Sequence, residues 1–393
     1  MGVFDLFFDL TACLFAHNED KVPHSIPTSS SHDGHPTPAL PLEIVVSILE
    51  AAHIDSDAER TLGACSLVCK DWLAPAQKIL YRRVTLTSDP AAVGFVTATS
   101  GSTPRSRALA EAVTSLRVII DDNQPHHVSH SALAQAVLQC PNLDALSLAV
   151  YHDSCDPAKG QYQGLSRLFS TDIQSMPATR PRITTLRFDN WTDNASALVD
   201  LLEAFPSVTS LTISGTPPAL PESATAPPCA IQELRIDCQP SLESIKWLLH
   251  DSPLRVLDFM REPECELLTC LLLDHHETLE FLALPSCASA EYSLALEQCT
   301  RLRDLRIEDL WTAQNAKRQL PPSLEHFAFS LGKRSALEPV IAAVKSNAPL
   351  KTVTMHMWSE DEQHPRLADL HIACALQGVE LNVVRDIKAF RKL

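Results

Sequence analysis

The chain has 393 residues, enough for two or three domains, and its 45% hydrophobic and 20% charged residues are ordinary values for a folded protein. Glycine is scarce at 10 residues, and no GxGxxG or GxxxxGK[ST] segment occurs, which argues against a glycine-rich loop that holds phosphate groups. The net charge of −16 has the wrong sign for a protein that binds nucleic acid or an anionic membrane surface.

The first 38 residues divide into two segments of different composition. Residues 1–17 are apolar but lack the basic residues of a secretory signal, so we expect a short helix that is packed or mobile. Residues 18–38 are rich in Pro, Ser, His and Asp and are predicted to be a disordered linker, because they bury too little to offset their ordering entropy.

The cysteines and the apolar runs favour a protein of the cytoplasm, the nucleus or both. The twelve cysteines are scattered without a CxxC pair, which is typical of free thiols in a reducing compartment. No later segment reaches 18 uninterrupted apolar residues, so we expect no membrane anchor. We also expect no bound metal or cofactor.

Residues 39–86 form an apolar block with helical spacing. Pro41 stands where a first helix would begin, and apolar residues follow it at intervals of three and four. Ser56 and Glu59 have the capping-box spacing of a second helix, and a third helical pattern contains Trp72. Because three short helices bury little apolar surface, the block is predicted to pack against a further surface.

Two motifs in this block, LPLEI with a following IL pair, and CSLVCKDW, resemble an F-box, the module that binds the Skp-type adaptor of cullin ubiquitin ligases. The resemblance implies a three-helix domain whose motif residues build both the core and the adaptor-binding surface. The sequence alone does not divide these two roles among the residues. The positions that the resemblance implies are Leu40, Pro41, Ile44, Ile48, Leu49, Leu67, Val68 and Trp72.

From about residue 105 to the end, a six-residue frame recurs ten times as apolar-x-x-apolar-x-apolar. The central frame residues are Leu116, Leu146, Leu186, Leu211, Leu234, Leu257, Leu282, Leu305, Phe327 and Val353. A weaker eleventh copy is centred on Val379. Between the frames the apolar spacing changes to three and four, as in residues 197–205 and 265–276. Each repeat is therefore predicted to be a strand followed by a helix, and such units stack into an open right-handed βα solenoid.

This region resembles leucine-rich repeats of the long, ribonuclease-inhibitor-like type, which implies a horseshoe with strands inside and helices outside. The predicted fold class is therefore α/β, with a small three-helix F-box followed by an irregular horseshoe of about 10–11 repeats. The Asn or Cys that the family places three positions after the frame is present only as Cys287. Without the internal ladder of such side chains, the turns must satisfy their backbone groups by other means.

No catalytic signature such as GxSxG or HExxH occurs, so we expect the protein not to be an enzyme. A pair of histidines, His275 and His276, ends a leucine-rich helix. A zinc site is a possible use of the pair, but cations are favourable at this end of a helix, and we adopt that interpretation.

The residues between frame positions lie on one side of the predicted sheet, which we call the open face. This face supplies better candidates for binding. Its middle column carries four arginines, which would suit an acidic or phosphorylated segment, and an island of apolar side chains lies beside it. The alternative is that the N-terminal apolar segment or a C-terminal helix covers these residues. The candidate substrate-binding residues are Arg187, Arg235, Val256, Met260, Phe281 and Arg306.

Together the two resemblances imply a substrate-recognition subunit of a Skp/cullin/F-box ubiquitin ligase. Residues 39–86 would dock the adaptor and, through it, a cullin ligase. Residues 105–393 would hold a protein target for ubiquitin transfer by a separate enzyme. The alternative is an F-box protein that works outside a ligase as an adaptor-bound scaffold, and a hydrolase with an unrecognised site is a weaker third interpretation.

Overall fold

The structure is a computed structural model, and it describes residues 40–52, 58–152, 181–220, 226–286, 290–310, 320–332, 335–346, 349–358 and 364–393. These residues divide into two units, the first ending at Ile183 and the second running from Thr184 to Leu393. The predicted apolar segment 1–17 and linker 18–38 lie outside the described residues, as do Ser56 and Cys287. None of the helices in the described ranges has the length and apolar character needed to span a bilayer.

Three helices open the first unit, and a three-stranded sheet with three further helices follows them. The elements are α1 (Leu42–Ala52), α2 (Ala58–Cys65), α3 (Lys70–Leu80), β1 (Arg83–Leu86), α4 (Asp89–Ser100), α5 (Pro104–Ala112), β2 (Ser115–Asp121), α6 (His130–Gln139) and β3 (Ala145–Tyr151). The strands are parallel and lie in the order β1-β2-β3.

The first three helices surround one small apolar core. Pro41 precedes α1, and its carbonyl accepts hydrogen bonds from the backbone N–H groups of Ile44 and Val45, which confirms the predicted start of this helix. The buried core residues are Val45, Leu49, Leu62, Ala76 and Ile79. Because the two residues that α1 contributes are four apart, only one narrow stripe of this helix faces the core, and the neighbouring stripe lies outside it.

The parallel sheet begins earlier than the repeated frame predicts. In the pairing of β1 with β2, Val84 lies beside Leu116 and Leu86 beside Val118. All four side chains are buried. The first strand thus lies inside the segment 39–86 that the sequence assigned to the helical block. Four residues directly after a helix are too few to show a strand period of their own.

The second unit continues the alternation of strands and helices. Its described elements are β4 (Thr185–Trp191), α7 (Ala197–Ala204), β5 (Ser210–Gly215), β6 (Glu233–Asp237), α8 (Leu242–Leu248), β7 (Val256–Phe259), α9 (Cys265–Asp274), β8 (Phe281–Ser286), α10 (Ala290–Gln298), β9 (Asp304–Asp309), β10 (His326–Leu331), α11 (Glu338–Lys345), β11 (Thr352–Met357), α12 (Leu367–Gln377), β12 (Glu380–Val384) and α13 (Ile387–Phe390). The strands from β4 to β12 follow one another in chain order and are parallel.

The register of these strands confirms the predicted frame. Central frame residues of neighbouring strands lie side by side, as Leu211, Leu234 and Leu257 do, and they are buried. The third residue of each strand points away from the core, and these residues form the middle column of the open face. From β4 to β12 that column consists of Arg187, Thr212, Arg235, Asp258, Ala283, Arg306, Ala328, Thr354 and Asn382. The fold is α/β with parallel strands, consistent with a βα solenoid.

The last repeat lies two residues later than the predicted eleventh frame. β12 pairs with β11 so that Leu381 lies beside Val353, and the frame is centred on Leu381 rather than on Val379. The cause is the end of the preceding helix. α12 continues to Gln377, and Gly378 ends it in the left-handed conformation at φ +69°, so the strand starts later.

Side chains close a turn that lacks the expected amide ladder. Asn190 Oδ1 accepts hydrogen bonds from the backbone N–H and the hydroxyl of Thr192, while Asn190 Nδ2 donates to the Asn194 carbonyl. The Thr216 hydroxyl, in the next repeat, donates to the Thr192 carbonyl at 2.7 Å. At this turn, the prediction that the backbone groups find other partners is confirmed.

Candidate functional site

The structure separates the motif residues of the helical block by burial. Leu49 is fully buried, and Trp72 packs against the same core. The remaining six are exposed to solvent, and they are Leu40, Pro41, Ile44, Ile48, Leu67 and Val68. Sequence periodicity did not make this division, because it does not say which of two adjacent stripes of a helix faces the core.

The exposed residues form two apolar groups. Leu40, Ile44 and Ile48 are four apart, on or just before α1, and therefore share one side of the helix. Leu67 and Val68, each 64% exposed, lie in the turn between α2 and α3. Their backbone N–H groups donate to carbonyls of α2, so the turn is closed while its side chains point to solvent. Clustered aliphatic side chains in solvent are typical of interaction surfaces.

The open face of the second unit has an exposed part and a buried part. Arg187 and Arg235 are exposed, and Arg187 Nε donates to both carboxylate oxygens of Asp189, at 3.2 and 3.0 Å. The middle column is buried from β7 to β11. Only the first two of the three candidate arginines are therefore available to solvent.

Arg306, which is 3% exposed, lies in the buried part of this face. Its Nη2 donates to Asp258 Oδ1 at 2.9 Å, and its Nη1 donates to the Arg391 carbonyl at 2.7 Å. The register places Ala283 between Arg306 and Asp258, and this small side chain leaves room for the guanidinium to cross β8. The guanidinium carbon also lies 5.8 Å from the centre of the Phe281 ring. Arg306 thus connects parts of the fold and does not offer a free charge.

The C-terminal segment, residues 385–393, lies on this part of the open face. Phe390 is fully buried, with its ring centre 5.5 Å from that of His356 on β11. Arg391 Nε and Nη2 donate to the two carboxylate oxygens of Glu308 on β9, each at 2.7 Å. These hydrogen bonds raise the pKa of the Arg391 guanidinium. The C-terminal segment therefore covers one candidate binding residue, Arg306, as in the alternative that the sequence left open.

The face near this segment is polar and hydrogen-bonded. His326 lies between Asp304 Oδ1, at 3.0 Å from its Nδ1, and Thr354 Oγ1, at 2.9 Å from its Nε2. Ser330 Oγ lies 2.8 Å from His356 Nδ1. These side chains come from three adjacent strands and link them across the face.

The predicted apolar island is only partly exposed. Val256 and Phe281 lie side by side in the register of β7 and β8 and are half-buried. Met260 is exposed just after β7. Glu233 and Asp304 are the next residues along the same row on either side. The structure thus brings two of the three apolar candidates into direct register between two acidic residues.

No family model matches the chain, and no curated protein matches it. Within the described ranges, His, Cys, Asp and Glu side chains form no group of three placed to hold a metal ion.

Sequence reasoning missed the pairing of Glu308 with Arg391 and the burial of Phe390. A usable signal was present in the charge pattern. The last nine residues contain four basic side chains in a chain of net charge −16, so they are the natural counterpart of an acidic surface. The missing information was which of the many acidic residues lie on one face.

A cavity of about 350 Å³ lies away from the open face, between residues of α8 and α9 and the turns that follow them. Its lining includes Lys246, Asp274 and His275. Burial lowers the pKa of His275, which favours the neutral ring and argues against its predicted role as a cation at the helix end. His276 Nδ1 lies 2.8 Å from the Leu273 carbonyl, so this neighbour contacts the helix end instead.

Proposed function

We propose that this protein is the substrate-recognition subunit of a Skp/cullin/F-box ubiquitin ligase. The observation that carries the proposal is the exposure of six of the eight residues that the F-box resemblance assigns to the core and adaptor surface. Leu49 belongs to the core of the three helices and Trp72 packs against it, while the other six leave an apolar surface for the adaptor. The F-box reading explains both the motif spacing and this division.

The second unit supports the other half of the proposal. Its successive parallel strands present an open face with exposed charges, as expected of a leucine-rich-repeat-like domain that holds a protein target. Such a receptor needs no catalytic residues, because it acts by raising the local concentration of target lysines near the transferring enzyme. The proposed site of action is the cytoplasm, the nucleus or both.

Adaptor binding tests the proposal directly. We expect the full chain to bind a purified Skp-type adaptor, and Leu67→Asp to weaken this binding by about 30-fold or more, because a charge would enter the apolar contact. Leu376→Asp is the matched control, since Leu376 is 77% exposed on α12, outside the helical block, and its replacement should leave adaptor affinity unchanged. Both variants should keep the melting temperature of the wild type, because both positions are on the surface.

The outcomes separate the possible functions. Failure of the wild-type chain to bind the adaptor, or equal binding by wild type and Leu67→Asp, rejects the F-box interpretation. Adaptor binding without recruitment of a cullin would favour the scaffold that works outside a ligase. Recruitment of both adaptor and cullin supports the receptor.

A further inference from the structure

We propose that the open face over β9 to β11 is a docking site for a partner segment in which an aromatic residue is followed by an arginine, and that the C-terminal segment of this chain occupies the site in cis. The inference deepens the proposed function, because it assigns the chemistry of the protein held by the repeat face. Its test uses no adaptor, so it can fail independently of the F-box interpretation.

Two adjacent residues of the C-terminal segment make contacts that a ligand could reproduce. Phe390 is fully buried, and Arg391 supplies both the bidentate pair with Glu308 and the carbonyl that Arg306 contacts. Lys388, Ala389, Arg391 and Lys392 are exposed. The helix α13 has four residues, too few to be stable without its contacts to the face. A ligand with the same aromatic and arginine side chains can therefore compete with the segment for the face.

The face beside the segment is polar and partly open to solvent. The side chains of His326 and Asp304 are 25% and 43% exposed, and His326 lies between Asp304 and Thr354 at hydrogen-bond distance. Ser330 Oγ and His356 Nδ1 lie 2.8 Å apart on the same face. Water or a polar ligand can satisfy such side chains, so exposing this part of the face costs little free energy. Phe390 is the apolar anchor of the segment, and exchange replaces that contact together with the Arg391 pair.

Charge complementarity identifies the kind of partner. The segment contributes Arg385, Lys388, Arg391 and Lys392 against one acidic residue, Asp386. It lies on a face where the Glu308 carboxylate accepts two hydrogen bonds from Arg391, each at 2.7 Å. The side chain of Arg391 is 45% exposed, so the ion pair is screened by salt and open to competition. A basic segment fits this part of the face better than the acidic or phosphorylated one that the sequence suggested.

Competition between cis and trans ligands gives a measurable prediction. A site already filled by a tethered ligand binds a free copy more weakly, in proportion to the fraction of empty sites. Removing the two cis anchors should therefore increase the affinity for a free peptide that still carries them. The gain should be about tenfold or more, since a bidentate charge-assisted pair and a buried aromatic ring are both lost from the cis contact.

The probe is a fluorescein-labelled peptide with the sequence of residues 384–393, and its binding to the full chain is followed by fluorescence anisotropy. We expect Phe390→Ala/Arg391→Ala to bind the peptide at least about tenfold more tightly than the wild type. The matched control is Lys388→Ala/Lys392→Ala, which changes two exposed residues of the same segment and should bind like the wild type. Adding Glu308→Gln to the first variant should remove the gain, because the arginine of the peptide needs that carboxylate.

Equal peptide affinity of the wild type and Phe390→Ala/Arg391→Ala, with circular dichroism showing that both are folded, overturns the proposal. If that variant does not fold, hydrogen exchange of the wild-type chain is measured at increasing salt concentrations instead. Added salt then weakens the cis ion pair, and protection of the backbone N–H groups of α13 from hydrogen exchange should fall before that of β11. Simultaneous loss of protection in α13 and β11 overturns the proposal, because it makes the segment an inseparable part of the fold.

Discussion

Replacing Arg306 by methionine should destabilise the second unit by about 3–5 kcal/mol, because Asp258 would stay buried without its counter-charge. Asp258 is 2% exposed, and its Oδ1 accepts the hydrogen bond from Arg306 Nη2 at 2.9 Å. The hydrogen bond to the Arg391 carbonyl is lost as well, which contributes about 1 kcal/mol of this total. Methionine keeps much of the aliphatic stem, so the lost charge dominates the effect over any cavity.

The assay is thermal unfolding followed by circular dichroism. For a unit of this size each kcal/mol lowers the melting temperature by about 2–4 °C, so we expect a decrease of about 6–20 °C. Arg235→Met is the matched control, because it makes the same change at an exposed position of the same column and should alter stability by about 0.5 kcal/mol or less.

The double variant Arg306→Met/Asp258→Leu separates the charge effect from general damage to the fold. Replacing a whole buried ion pair by apolar groups is often close to neutral, so the double variant should recover most of the lost stability. A loss below about 1 kcal/mol in the single variant would refute the argument that Asp258 depends on Arg306. A double variant that is no more stable than the single variant would also refute this argument.

Two further predictions concern titratable groups. Burial raises the pKa of Cys140 to about 12 and that of Cys299 to about 11, so alkylation of the native protein at about pH 8 should label the exposed Cys69 and spare both. Mass spectrometry that found Cys299 labelled as fast as Cys69 would contradict this burial. Burial also lowers the pKa of His275 below 6.5, so the unfolded chain binds that proton more readily and stability should fall as the pH drops below 6.5. His275→Gln should reduce the change in melting temperature between about pH 7.5 and pH 5.5, and an unchanged dependence would contradict the neutral, half-buried ring.

The repeated frame was predictable because it follows from spacing alone. A strand that buries every second residue must present Leu211 and Ile213 to the core together, and the same spacing recurs in each repeat. The alignment of the frame residues from β4 to β11 agrees with this prediction. The prediction misplaced the last frame because α12 extends to Gln377. That helix ends only at Gly378, which has a positive φ.

The helical block shows a different limit. The motif spacing identified residues such as Leu49 and Ile48 as one apolar set, although one is fully buried and the other exposed. Both are apolar neighbours on the same helix, so hydrophobicity does not distinguish them. The division depends on where α3 packs, and α3 is brought to α1 by the core residues of all three helices.

From β2 to β11, the sequence by itself determined the alternation of strands and helices, the frame that fills the core, and the column of side chains on the opposite face. Only the tertiary structure decided which of those side chains are free. Arg187 and Arg306 occupy the same column, yet Arg306 is buried because the carbonyl of Arg391, 85 residues later, returns to it. Local spacing carries information over a few residues, whereas the covering of a face depends on contacts between distant parts of the chain.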